Sequence, residues 1–435
     1  MLHYHRRWSH VLYLPPLKGG YLHISSYIYL SWYIKRILLA VLLPVFCGSV
    51  VAQIKRYDTD FFLSRRNFVM TIPIEVERNQ IYLPVTIGGR QYRFKLDTGA
   101  SQGVIYDDID MPGLRELGHI KSEDATGTSR EVTTVELPPM TLDSLTISHF
   151  KVQRMRRNVV RRGEDGIIGF ALFHYGLAAR IDARAGQMTL TDRKNYFKGA
   201  EGEALRYRLV WHVPYVKVSP FEGVDDVVLF DTGSPMLYAP NGERWAQMEA
   251  TAPAMKSQTE GVTYGSRAMG HFGSEHARQI TLLKLDHLRW GAFDFQDVHC
   301  ATVQGGSHVG AQLLEYGAVV INPFRRQLVF QPYDGATSCQ VPDRRADIVI
   351  LEKDGRAMVG MVMEQGHAWQ AGFRAGQVIE KVDGTPLTFD EFNTYRWVIG
   401  QEYDFTLLLP IGIQTTLRAL WPFYYNQLAK SLQED

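Results

Sequence analysis

Val227-Val228-Leu229-Phe230-Asp231-Thr232-Gly233-Ser234 is the stretch that decides the fold, because an earlier segment repeats it as Gln91-Tyr92-Arg93-Phe94-Lys95-Leu96-Asp97-Thr98-Gly99-Ala100-Ser101. The earlier copy alternates apolar and polar residues and reads as a half-buried strand. The later copy is a continuous apolar run and reads as a fully buried strand. Both run straight into Asp-Thr-Gly. One such tripeptide is a weak signal, so the weight falls on the residues downstream of each copy.

The repeat continues there. Gly166-Ile167-Ile168-Gly169 ends 72 residues after Asp97, and His308-Val309-Gly310 ends 79 residues after Asp231. Six and seven residues beyond each final glycine come Tyr175-Gly176 and Tyr316-Gly317. Each copy then gives an apolar run, a polar turn (182–187 and 322–327) and a closing strand (188–190 and 328–330). Two triplets with matching downstream grammar form a strong signal.

The rest of the composition is permissive. The chain has 435 residues, 45% apolar and 21% charged, with a formal net charge of +1. That length predicts two or three domains with ample core. No basic stripe with interleaved aromatics is present, so nucleic acid is not an expected partner. Thirty-eight glycines and many short β-branched runs favour strands over helices.

The N-terminus reads as an export signal. Lys35-Arg36 precedes the apolar run 37–46, and Val50-Val51-Ala52 comes after it as a small-residue cleavage site, with Gln53 as the mature start. The run is short of the roughly 20 residues a membrane span needs, so no stable span is expected in the mature chain. An uncleaved anchor is the second choice. Phe46 before Cys47 argues against lipid attachment. The expected location is the periplasm or cell surface. Residues 1–34 resemble an upstream extension, and 53–69 are open to a propeptide role.

On these repeated motifs the sequence resembles the pepsin and retroviral-protease superfamily in its single-chain form, over roughly residues 70–335. The resemblance implies a mainly β fold with two pepsin-like β-barrel lobes, 70–198 and 204–335, related by pseudo-twofold symmetry. Each Asp-Thr-Gly loop would sit beneath a crossing strand carrying an apolar-apolar-Gly signature. Ile167-Ile168-Gly169 fits it, and His308 departs from it.

The implied chemistry suits the residues. Peptide hydrolysis without metal or covalent intermediate needs a base for water and an acid for the amide. Two adjacent carboxylates cannot both ionise, so Asp97 and Asp231 would share a proton and serve both roles. They would titrate as a coupled pair. Gly99 and Gly233 would allow close backbone approach. Thr98 and Thr232 would bond across the pseudo-dyad, as the resemblance implies. Ser234 offers a hydroxyl to its carboxylate and Ala100 does not. That difference predicts Asp231 as the readier anion, Asp97 as the proton holder, and an optimum less acidic than that of a gastric-type enzyme.

Other features are weaker. Thr126-Gly127-Thr128 sits where a first-lobe flap belongs, but no tyrosine lies between Tyr106 and Tyr175; Tyr264-Gly265 takes the corresponding place in the second lobe. Arg154, Arg156, Arg157, Arg161 and Arg162 read as a solvated loop. His271, Glu275 and His276 lack metal-ligand spacing and read as loop residues, and His299-Cys300 reads as structural. No cofactor and no metal are expected. An exported chain would let Cys300 and Cys339 pair; the alternative is two unpaired thiols.

Beyond a linker at Pro342-Asp343-Arg344-Arg345 the pattern changes. Strands at 347–351 and 357–363, a short helix at 366–372 and a strand and turn at 377–384 are expected. This run resembles the circularly permuted PDZ domains of bacterial envelope proteases, implying a small α+β PDZ-like domain over 343–422 and a tail at 423–435. Such a domain binds peptide termini or extended segments by adding a strand to a sheet edge, or serves as a rigid structural appendage. The whole reads as an aspartic endopeptidase acting on polypeptide substrates. Its rivals are a catalytically inactive peptide-binding protein of the same fold and an envelope scaffold.

Overall fold

Turn chemistry starts the strand that carries the first triplet. Gln80–Ile87 pairs antiparallel with Arg90–Asp97, and Ile87 lies opposite Arg90. Gly88 and Gly89 therefore make a two-residue turn, with φ of 58° and 80°. Both angles lie in the left-handed region that a type I′ turn needs, and that turn matches the twist of the paired strands. Along Arg90–Asp97, Tyr92, Phe94 and Leu96 are buried while Arg93, Lys95 and Asp97 lie half-buried on the other face.

The computed structural model describes residues 60–157, 163–174, 176–364, 366–398 and 400–421. The expected signal segment 1–52, with Cys47 and the cleavage point, and the tail 423–435 lie outside the described residues. So do Arg161, Arg162 and Tyr175.

The fold is mainly β. An eleven-stranded sheet contains Gln80–Ile87, Arg90–Asp97, Gly103–Tyr106 and Gly166–Gly169. A nine-stranded sheet contains Val213–Phe221, Val224–Asp231, Arg278–Trp290, Phe293–Ala301 and His308–Gly310. Between the two repeats runs a six-stranded sheet to which both contribute. Its order is Glu203–Arg206, Gln327–Pro332, Gly317–Asn322, Ala178–Asp182, Gln187–Thr191 and Val69–Pro73. The apolar runs of the two copies pair there, with Ala179 opposite Ile321 and Ile181 opposite Val319, and each closing strand lies on the outer side of its own run. Such near-continuous apolar runs suit strands covered on both faces. Upstream residues join the same body: Phe62–Leu63 pairs with the strand Leu145–Ser148, and Phe61 and Phe68 enter the core.

A second six-stranded sheet holds Ile348–Lys353, Arg356–Val362, Val378–Val382, Gln401–Leu408 and Gln414–Trp421. Its core includes Val359, Phe373, Val382, Phe405 and Trp421. The helix His367–Ala371 ends on Gly372 in the left-handed region, and Phe389–Thr394 starts on a capping box of Thr388 and Glu391. The expected strands and short helix at 347–384 are present to within a residue or two. This sheet packs on the preceding one. Thr263 Oγ1 donates to the Val362 carbonyl at 2.6 Å and Ser266 N to that of Gly360 at 2.8 Å. Met361 joins Ile280, Leu282 and Ala301 in a shared apolar cluster.

The cysteine pairing left open by the sequence does not occur. Cys300 and Cys339 are free thiols. The strand Ser338–Gln340 lies parallel to Phe293–Ala301 with Cys339 opposite Phe295. Cys300 is five residues further along, about 16 Å at strand rise, well beyond disulfide reach. Among the described residues no helix is long and apolar enough to cross a membrane.

Candidate active site

Two parallel strand pairs set the triplets. Gly169 lies opposite Asp97 and Gly310 opposite Asp231. A single-turn helix comes after each glycine, Phe170–Phe173 and Ala311–Glu315. Phe170 N donates to the Ala100 carbonyl and Ala311 N to the Ser234 carbonyl, both at 2.8 Å. The sequence repeat is thus a repeat of backbone pairing, and it presents two equivalent loops.

The loops grip each other through buried threonines. Thr98 N donates to Thr232 Oγ1 at 3.0 Å, and Thr232 N donates to Thr98 Oγ1 at 2.9 Å. Each hydroxyl also donates across the loops, Thr98 Oγ1 to the Phe230 carbonyl at 2.6 Å and Thr232 Oγ1 to the Leu96 carbonyl at 2.8 Å. Both threonines are fully buried, so every donor and acceptor in this ring would be costly to leave unpaired.

The grip brings the carboxylates together, and Asp97 and Asp231 hydrogen-bond to each other. The glycines make room. A Cβ at Gly99 would lie 2.5 Å from Asp231 Oδ1, and one at Gly233 would collide equally with the Asp97 carboxyl. Each glycine also donates its N–H to its own aspartate, Gly99 to Asp97 Oδ1 at 2.9 Å and Gly233 to Asp231 Oδ1 at 2.8 Å.

The two carboxylates are not equivalent, and their asymmetry reverses the sequence expectation. Asp97 Oδ1 takes a second N–H, from Ala100 at 3.0 Å, and Asp97 Oδ2 faces Lys95 Nζ at 3.8 Å. Among the described residues Asp231 has no second N–H donor and no hydrogen bond from the Ser234 hydroxyl. Burial, and then the neighbouring Asp97 charge, raise the Asp231 pKa well above the carboxylate range, by more than Lys95 lowers it. The donor geometry therefore favours the charge on Asp97 and the shared proton on Asp231. Backbone geometry and a lysine outweigh the Ser234-versus-Ala100 difference.

A hairpin of the first copy reaches a ribbon of the second beside the site. Arg115–Glu123 pairs with Ser129–Glu136, and the turn between them holds Thr126-Gly127-Thr128 at the expected flap position. Asp124 Oδ1 organises that turn, accepting from Thr126 N at 3.0 Å, Thr126 Oγ1 at 2.7 Å and Thr128 N at 3.1 Å. Its other oxygen accepts from Phe272 N at 2.8 Å. Arg130 adds a bond to the Phe272 carbonyl at 3.2 Å and lies over its ring. The partner is a small ribbon, Met269–Gly270 with Gly273–Ser274. That ribbon, rather than Tyr264-Gly265, meets the first hairpin. Tyr264 is exposed, and Gly265 abuts Gly360. At the ribbon's turn, His271 interacts with Lys95, Asp97 and Asp124. Burial first, then Lys95, lower its pKa, which favours the neutral imidazole. Met269, at the ribbon's base, packs on the core of the C-terminal sheet.

The remaining candidate residues are structural. Arg157 is not solvated: it lies on the Tyr106 ring at 3.8 Å and pairs with Asp108 at 2.9 Å and Glu164 at 3.3 Å. Arg154 and Arg156 are exposed. Glu275 is buried and accepts from Arg267 N at 2.8 Å. His299 receives a bond from Arg345 at 2.6 Å within a cluster holding Glu260 and Asp343. Among the described residues no group of three or more His, Cys, Asp or Glu side chains is placed to hold a metal ion. Lys95, Asp124, His271 and Phe272 are the site residues that sequence reasoning missed. Lys95 was within reach, since positions two apart in a strand share a face.

An aspartyl protease family model matches residues 83–172, which include the first triplet and Gly166–Gly169 but end before Asp231. Among solved structures the chain is similar to the aspartic proteinase from Irpex lacteus, at 13% identity and a TM-score of 0.40, over 62% of this chain and 99% of that one. Comparison with curated proteins gave no match.

Proposed function

We propose that this protein is an aspartic endopeptidase with two pepsin-like lobes, in which Asp97 and Asp231 activate water between them. The observation that carries the reading is the contact of these two carboxylates, held by reciprocal bonds between Thr98 and Thr232 and admitted by Gly99 and Gly233. A pair sharing one proton has both the base and the acid that amide hydrolysis requires.

The asymmetry assigns the roles. Asp97, the charged member, accepts a proton from the attacking water. Asp231 gives its proton to the carbonyl oxygen, forming a neutral tetrahedral diol. In collapse, the proton held by Asp97 passes to the amide nitrogen, the C–N bond breaks, and a diol hydroxyl returns its proton to Asp231. The dyad ends as it began. The hairpin 115–136 and the ribbon at 269–274 would exclude water around an extended peptide, and their clasp would open to admit it.

The C-terminal sheet is the PDZ-like module of this proposal, exported with the rest of the chain and serving peptide or partner binding. Its support is the order of short helix, Val378–Val382 strand and Asp383-Gly384 turn. The test of the main reading is cleavage of a mixed peptide library from acid to slightly alkaline pH, with and without pepstatin. Pepstatin-sensitive cleavage supports it. A folded chain that cleaves nothing at any pH would instead indicate a silent peptide-binding protein.

A further inference from the structure

We infer that Lys95 is a positioning residue that fixes the negative charge of the dyad on Asp97 and moves the whole pH window of the site downward. For its kinetic part the inference rests on the endopeptidase reading.

The placement comes from strand geometry. Lys95 precedes Asp97 by two residues in Arg90–Asp97, so both side chains leave the same face while Phe94 and Leu96 fill the core. Pairing on both sides holds that register, with Tyr82 opposite Lys95 in one neighbour and Ile167 in the other. The ammonium lies 3.8 Å from Asp97 Oδ2, with the two side chains 21% and 15% exposed. An ion pair so shielded is screened far less than a surface pair.

The other groups facing this point do not replace the lysine. Asp231 is the dyad partner and carries the proton. Asp124 on the hairpin turn is committed to Thr126, Thr128 and Phe272. Burial favours the neutral form of His271, and Tyr106 and Tyr215, which interact with Asp97 and Asp231 respectively, have raised pKa values. None of these groups is a permanent cation. The charge on Lys95 favours each successive loss of a proton from the pair, so both the gain and the loss of the singly charged dyad occur at lower pH than they would without it. It also makes the two carboxylates unequal before substrate arrives.

The experiment compares the full-length wild type with Lys95→Met and Lys95→Arg. Two readouts are taken: the pH profile of kcat/KM on a peptide selected from the library, and the carboxyl titration by NMR with carbon-13 aspartate, assigned through Asp97→Asn and Asp231→Asn. Lys95→Met should move both limbs and both carboxyl transitions up by about one pH unit, and Lys95→Arg should leave them near wild type. Superimposable titrations of wild type and Lys95→Met would overturn the inference. If the wild type cleaves no peptide, the endopeptidase reading fails, and the carboxyl titration still decides the role of Lys95.

Discussion

Thr98 and Thr232 exchange hydrogen bonds, each backbone N–H donating to the other's hydroxyl at 3.0 and 2.9 Å. With the two onward bonds to carbonyls, this ring turns two distant sequence repeats into one site. Replacing either threonine by valine keeps the shape but strands a buried N–H and a buried carbonyl. The expected loss is about 2 to 5 kcal/mol, with serine retaining most of the stability. Chemical denaturation of the valine and serine variants against wild type measures it; a valine variant as stable as wild type would show that the ring is not needed.

The raised pKa of Asp231 makes stability depend on pH. Its folded-state value lies above the unfolded one, so its contribution is fully present below the ordinary carboxyl range, near pH 4, and is lost as pH rises through the folded value. Asp231→Asn cannot ionise. Its melting temperature should therefore gain on that of wild type as pH rises from about 4 through neutrality. A constant difference across that range would contradict the charge assignment.

Asp124 joins the hairpin to the ribbon beside the site. Asp124→Ala removes the acceptor for Thr126 N, Thr128 N and Phe272 N together. Bonds to a charged acceptor are worth about 1.5 to 3 kcal/mol, so these amides should exchange on the order of 10- to 100-fold faster. Hydrogen exchange with peptide-level mass spectrometry reads both sides of the clasp. Faster exchange on the hairpin alone, with Phe272 unchanged, would mean that the ribbon is held elsewhere.

The thiols give a simpler check. Cys300 is buried and its pKa is pushed up to about 12, and that of Cys339 to about 11, by burial in each case. Alkylation of the protein denatured without reductant should modify both residues. A peptide linking Cys300 to Cys339 would contradict the register of Ser338–Gln340 against Phe293–Ala301.

The central frame was legible because it is written twice. Asp-Thr-Gly after an apolar strand and a later apolar-apolar-Gly fix which backbones must meet, and Gly169 and Gly310 are found opposite Asp97 and Asp231. The C-terminal elements were legible from alternation and turn residues. The asymmetry of the dyad was not, since counting hydroxyls at Ser234 and Ala100 ignores backbone donors and a lysine two positions upstream. Arg157 escapes a sequence reading for a related reason. Its burial depends on Tyr106, Asp108 and Glu164, which the sequence does not place beside it. The partner of the hairpin turn was invisible because Phe272 offers only its backbone N–H to Asp124, and that leaves no trace in side-chain pattern.

The most direct test of the account is peptide cleavage by wild type beside Asp97→Asn and Asp231→Asn, each shown to be folded, with and without pepstatin. Wild type should cleave in a pepstatin-sensitive manner, and neither variant should cleave at all. Cleavage that survives both substitutions, or a folded wild type that cuts no peptide at any pH, would contradict it.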